Sequence, residues 1–124
     1  MQTIFPYLLY ADAAAAIDFL SRAFGFTETF RSDDNGRIAH AQLGLGDAEI
    51  MLGQPANELD RAGDQTVLMY VYVDDVDTHF QHAREAGAEI AEEPTDQEYG
   101  DRHYHARDPE GHSWYFAQRT GAHG

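Results

Sequence analysis

Cysteine is absent from the 124-residue sequence, which excludes disulfide frameworks, thiolate nucleophiles and cysteine metal ligands. Lysine is absent as well. The eight basic residues are all Arg, set against 22 acidic ones, for a formal net charge of -14. Nucleic acids and anionic membrane surfaces are repelled by such a chain at long range, so neither is expected as a partner. No run approaches the roughly 20 apolar residues of a membrane span, and Met1-Gln2-Thr3-Ile4 has no basic start leading into an apolar stretch. A cytoplasmic protein is the expectation. Nucleophile elbows, Gly-rich phosphate loops and HExxH motifs are also missing, so hydrolase and nucleotide-dependent chemistry have no sequence support.

What is present is apolar and aromatic. With 43% hydrophobic and 12% aromatic residues, the chain can bury one core, as one unit or two small interdigitated halves. Ile4 to Tyr10 reads as a strand, and Asp12 can cap a helix in which Ala13, Ala16, Ile17, Leu20 and Phe24 recur at helical spacing up to Gly25. Strands follow at Phe26 to Arg31, Arg37 to Leu45 and Ala48 to Gly53, with turns at 32–36 and at Gly46-Asp47. A linker is expected at 55–65, and the pattern then restarts. Val67 to Val73 reads as a strand, Asp74 or Asp75 as the cap of a helix ending at Gly87, Ala88 to Glu92 as a strand, and Glu93 to Asp101 as a loop. Asp12 to Gly25 and Asp74 to Gly87 have the same span, with an offset of 62 residues. The expected architecture is therefore α+β, with tandem βαβββ modules at 1–54 and 66–120 of a single domain.

The last two strands flank Asp108-Pro109-Glu110-Gly111. Proline presets φ for a type I turn and Gly111 suits the left-handed position after it, so Asp108 is expected opposite His112, with Arg107 opposite Ser113 and His105 opposite Tyr115. Tyr104, Ala106, Trp114 and Phe116 then share the face that suits packing under a helix. His103, His105, Arg107, Ser113 and Tyr115 share the other.

The repeat, together with Val73-Asp74-Asp75-Val76-Asp77 and Arg107-Asp108-Pro109-Glu110-Gly111-His112-Ser113-Trp114, resembles the vicinal oxygen chelate superfamily of glyoxalase I, bleomycin-resistance proteins and extradiol dioxygenases. Phe5-Pro6-Tyr7-Leu8, Ala16-Ile17-Asp18-Phe19-Leu20 and Phe24-Gly25-Phe26 resemble its small single-chain members. The resemblance implies modules whose mixed sheet curves around a cleft, often in a homodimer. It also implies, for enzymatic members, a divalent metal held by the first and last strand of each module. Transferred to this chain, those ligand positions fall on Phe5, Met51, Leu68 and Tyr115, which offer rings, an alkyl chain, a thioether and a phenol. No metal or other cofactor is expected on that ground.

The cleft so implied is lined by Phe5, Tyr7 and Leu9 of the first strand, by His40, Gln42, Glu49 and Met51, by Leu68, Tyr70 and Tyr72, and by His103, His105, Arg107 and Tyr115. The three histidines read as solvated strand residues, as ligand-recognition groups, or with Glu49 as a noncanonical metal site. Tyr7, Tyr70 and Tyr115 read as core packing or as stacking faces, Arg107 as an ion pair or an anion anchor, and His79 and His82 as surface residues of the second helix. The expected function is binding of a small organic ligand, neutral or cationic and aromatic. The alternative is a lyase, isomerase or dioxygenase that uses a noncanonical metal or His and Tyr acid–base chemistry.

Overall fold

Each half of the chain builds a four-stranded mixed sheet with one helix on one face. The computed structural model describes residues 2–56 and 67–121, so positions 57–65 of the expected linker lie outside the described residues. Two compact units divide the chain, Met1–Asp64 and Gln65–Gly124.

In the first unit, β1 (Tyr7–Leu9) leads into α1 (Ala13–Phe24), followed by β2 (Thr27–Asp34), β3 (Arg37–Leu45) and β4 (Ala48–Gly53). The Asp12 side chain accepts from the Ala15 amide at 3.0 Å, and Gly25 closes the helix in the left-handed conformation, both as the sequence pattern indicates. The strand order is β1-β4-β3-β2, with β1 parallel to β4 and the remaining pairs antiparallel. Because side chains alternate along a strand, Leu8, Ala41, Leu43, Ile50 and Leu52 all point to one face, and that face is buried with Ile17, Leu20 and Phe24 of α1. Leu45 pairs with Ala48, Leu43 with Ile50 and Gln42 with Met51, as the Gly46-Asp47 turn demands. β2 runs further than expected, to Asp34, because the turn is only Asn35-Gly36, both at positive φ.

The second unit repeats the plan with β5 (Leu68–Tyr72), α2 (Val76–Glu85), β6 (Glu89–Asp96), β7 (Asp101–Arg107) and β8 (Ser113–Arg119), in the order β5-β8-β7-β6. Asp75 is the cap, accepting from the Thr78 amide at 3.1 Å. The repeat reaches the helix termini, since Ala13 N–H donates to Gln54 Oε1 and Val76 N–H to Gln118 Oε1. Val76, Phe80 and Ala83 of α2 are buried with Tyr104, Trp114 and Phe116. The β7–β8 register matches the expectation at every pair from Tyr104 with Phe116 to Arg107 with Ser113.

The structure departs from the sequence expectation at β6 and at His79. The segment expected as a loop from Glu93 is strand as far as Asp96, with irregular registers between Ile90 and Glu92 and between Glu92 and Thr95. Those bulges break the period-two pattern that would have revealed the strand. His79 is half-buried rather than at the surface. Its Nδ1 lies 2.6 Å from the Tyr104 hydroxyl and its ring 4.3 Å from that of Phe116, so it belongs to the seam between α2 and the sheet.

Candidate functional site

The helix-free face of each sheet carries the residues of interest. In the first unit the pairing Tyr7–Met51–Gln42–Phe30 makes one row across all four strands. His40 lies beside that row, its Nδ1 2.9 Å from the Tyr7 hydroxyl and its ring 5.9 Å from that of Phe30. Thr29 donates to Glu49 Oε2 at 2.9 Å, which ties this carboxylate to the sheet. Gly53 gives the tyrosine room: a Cβ there would meet the Ala39 carbonyl and come within 3.0 Å of Tyr7 Oη. Phe5 precedes β1 and is half-buried.

The second unit has the corresponding row Tyr70–Tyr115–His105–Glu92. His105 stacks on Tyr115 with centroids 4.3 Å apart and planes 11° from parallel, and Tyr70 lies 6.1 Å from Tyr115 at 24°. Leu68, Tyr70 and Tyr72 point away from α2 and stay exposed. Burial, and then the Arg107 charge, push the His105 imidazole below its usual range, so it is neutral at neutral pH. Its Nε2 is buried and without a hydrogen-bond partner among the described residues. Arg107 pairs with Glu89 at 3.1 Å.

Beside this row lies a cluster that the sequence alone did not bring together. The Asp101 carboxylate, 2% exposed, accepts from the hydroxyls of Tyr70 at 2.7 Å and Tyr72 at 2.8 Å. His103 Nδ1 is 3.3 Å from the hydroxyls of both Tyr70 and Tyr99, and its Nε2 is 3.3 Å from Glu92. Burial, then hydrogen bonds to Tyr99 and Asp101, push the Tyr70 phenol up; the hydrogen bond to Asp101 does so first for Tyr72. Both phenols therefore act as neutral donors. Tyr72 was legible from its alternation with Tyr70, whereas Tyr99, Asp101 and Glu92 had no local signal.

The two faces repeat a tyrosine–histidine pair. Tyr7 with His40 and Tyr70 with His103 each make a phenol–Nδ1 contact at a sequence separation of 33 residues. The repeat distance defined by these pairs, and by the caps Asp12 and Asp75, is 63 residues rather than the 62 expected from Asp74.

The four positions at which the resemblance places a metal do not fit one. Phe5 and Leu68 have no donor atom, Met51 offers a thioether, and Tyr115 is held against the His105 ring. Among the described residues no group of three or more His, Asp or Glu side chains is placed so that it could hold a metal ion.

The family model described as the Glyoxalase/Bleomycin resistance protein/Dioxygenase superfamily matches residues 4–116. The chain belongs to this superfamily. Its sequence is 34% identical over 122 residues to the uncharacterized protein Mb0911c of Mycobacterium bovis, covering 91% of this chain and 80% of that protein. The crystal structure of TioX from Micromonospora sp. ML1 is similar at a TM-score of 0.81 and 36% identity, over 96% of this chain and 99% of that one. A superfamily enzyme from Burkholderia phytofirmans PsJN shares the fold at a TM-score of 0.76 and 23% identity, over 93% and 96% of the two chains. No helix among the described residues is long and apolar enough to cross a membrane.

Proposed function

We propose that this superfamily member binds a small aromatic organic ligand, neutral or cationic, without a metal. The observation that carries the reading is the helix-free face of the second unit. There Leu68, Tyr70 and Tyr72 keep large apolar surface in water although the same chain buries Trp114, Phe116 and Tyr104 completely. Exposed rings gathered on one face are costly to leave wet and are the usual material of a ligand surface. Phenol, imidazole and carboxylate groups at the margin supply orientation. Tyr7, His40, Gln42 and Met51 form a second candidate surface on the first unit.

The Glu92–His103–Tyr70 chain of contacts supports acid–base catalysis as a second reading. The raised Tyr70 pKa limits it, because such a phenol is a proton donor and not a base at neutral pH. Calorimetric titration with neutral, cationic and anionic aromatic compounds tests the proposal. Trp114 is buried on the opposite face from Tyr115, which makes heat a better readout than its fluorescence. Tyr115→Ala should weaken binding about tenfold, within the range of a lost stacking contact, and Tyr115→Phe much less. A clear preference for phosphorylated or multiply anionic compounds, or roughly one Zn, Ni, Mn or Fe per purified chain, would refute it.

A further inference from the structure

We infer that Tyr99, on the turn between β6 and β7, meets the ligand of the second unit as a hydrogen-bond acceptor, so that this face selects aromatic molecules carrying an N–H or O–H group. The inference rests on the reading of this face as a ligand surface and adds the polarity of the atom that orients the ligand. Tyr99 is 48% exposed, yet its hydroxyl is anchored, 3.3 Å from His103 Nδ1 and 3.5 Å from the Tyr70 hydroxyl. The turn that carries it is closed by backbone bonds from the Gln97 amide to the Asp101 carbonyl and from the Gly100 amide to the Gln97 carbonyl.

Which way each hydrogen points follows from counting them. A phenol has one proton to donate, and a neutral imidazole has one proton and one lone pair. The Tyr70 proton is committed to the Asp101 carboxylate, which accepts it at 2.7 Å, whereas the same hydroxyl is 3.3 Å from His103 Nδ1. On the other side of the imidazole, Glu92 Oε1 stands 3.3 Å from Nε2. A lone pair there would face a negative oxygen, so the ring proton sits on Nε2 and the lone pair on Nδ1. His103 is 7% exposed, which leaves that lone pair to the two hydroxyls beside it. Tyr99 supplies the proton, because Tyr70 has none left. The Tyr99 oxygen then keeps its lone pairs and has no hydrogen to offer outward.

The contrast with the first unit shows why this polarity is fixed. Tyr7 and His40 repeat the phenol–imidazole contact, yet no carboxylate among the described residues touches either of them. Their 2.9 Å contact can run with either partner donating, so that pair suits a ligand of either polarity. In the second unit Asp101 fixes the tyrosine and Glu92 the histidine, and discrimination belongs there. The occupant that fits is a flat aromatic molecule whose ring covers the exposed Tyr70 and Tyr72 and whose edge aims an N–H or O–H at Tyr99. An edge with lone pairs alone meets the Tyr99 oxygen without a hydrogen between them, after giving up its bonds to water.

The test uses three neutral bicyclic probes of similar shape: indole, which can only donate, benzofuran, which has no donor, and quinoline, which can only accept. Each is titrated calorimetrically into the full chain at about pH 8.5, above the usual imidazole range. Wild type should bind indole about fivefold more tightly than benzofuran, the worth of one net hydrogen bond, and quinoline no more tightly than benzofuran. Tyr99→Phe keeps the ring and should abolish the preference for indole; the ratio of the two affinities is the readout, since a general disturbance of the surface moves both together. Proton–nitrogen correlation spectra of the free protein give a second measurement, in which His103 Nε2 should carry a proton and Nδ1 none. A proton on Nδ1, equal wild-type affinities for indole and benzofuran, or a preference for indole that survives Tyr99→Phe overturns the inference and leaves the ligand surface standing. Absence of binding by all three probes overturns both.

Discussion

Replacing Asp108 with Asn tests how the hairpin beneath the candidate site is held. The Asp108 side chain is buried, and three donors converge on its two oxygens: the amides of Glu110 at 3.1 Å and His112 at 3.0 Å on Oδ1, and the Trp114 indole N–H at 3.1 Å on Oδ2. Asparagine keeps the shape but has one acceptor atom. If its amide nitrogen faces Trp114, two N–H groups oppose each other; if the amide flips, the same conflict moves to the two backbone donors. In either orientation at least one buried donor loses its acceptor, at about 1–3 kcal/mol, and the surviving bonds lose their charge assistance. The expected destabilisation is about 2–4 kcal/mol. With a urea dependence of roughly 1–3 kcal/mol per molar, the unfolding midpoint should fall by about 1 M or more. Trp114 is the single tryptophan and fully buried, so its fluorescence reports the transition. Asp108→Ala should cost at least as much. An Asn variant whose midpoint stays within about 0.3 M of wild type would show that the carboxylate does not hold the turn.

Gly53→Ala should destabilise the first unit by about 1–3 kcal/mol, since the new methyl meets the Ala39 carbonyl and must displace the Tyr7 hydroxyl from its place; an unchanged melting temperature would contradict this. Gly111→Ala should cost about 1 kcal/mol or more, because Gly111 sits at φ 90°, and an unaltered denaturation midpoint would count against the turn geometry. His105 has a folded pKa below its unfolded value, so the unfolded chain takes up the proton first as pH falls. Stability should therefore decline as pH drops from about 6.5 toward the depressed folded value and be fully present above that window. His105→Gln should flatten this part of a midpoint-against-pH curve, and an identical slope in the two proteins would assign the dependence to other groups.

Much of the architecture was legible because the signals are local. Asp12 and Gly25 frame α1, the Gly46-Asp47 turn sets which residues of β3 and β4 face each other, and Asp108-Pro109-Glu110-Gly111 sets the β7–β8 register. Once a turn fixes the pairing, alternation decides which side chains lie under the helix and which on the free face, so His103, His105, Arg107 and Tyr115 could be placed together in advance. The repeat was legible for the same reason, apart from one residue of offset. Two adjacent aspartates, Asp74 and Asp75, offer equal local chemistry for a cap, and only the helix itself selects Asp75.

The polar cluster was decided by tertiary structure. Asp101 is one of 22 acids and stands at the end of a segment that reads as a loop, so no local pattern distinguishes it from a solvated carboxylate. It becomes a buried acceptor because β5, β8 and β7 are neighbours in one sheet, which brings Tyr70 and Tyr72 to it from 31 and 29 residues away. Glu92 reaches His103 only because β6 continues through its bulges. His79 likewise takes its half-buried place only through the Tyr104 hydroxyl across the helix–sheet seam. Turn chemistry and side-chain period act within a few residues and are written in the sequence. The environment of a titratable group depends on which distant strands become neighbours, and that is known only when the chain has folded.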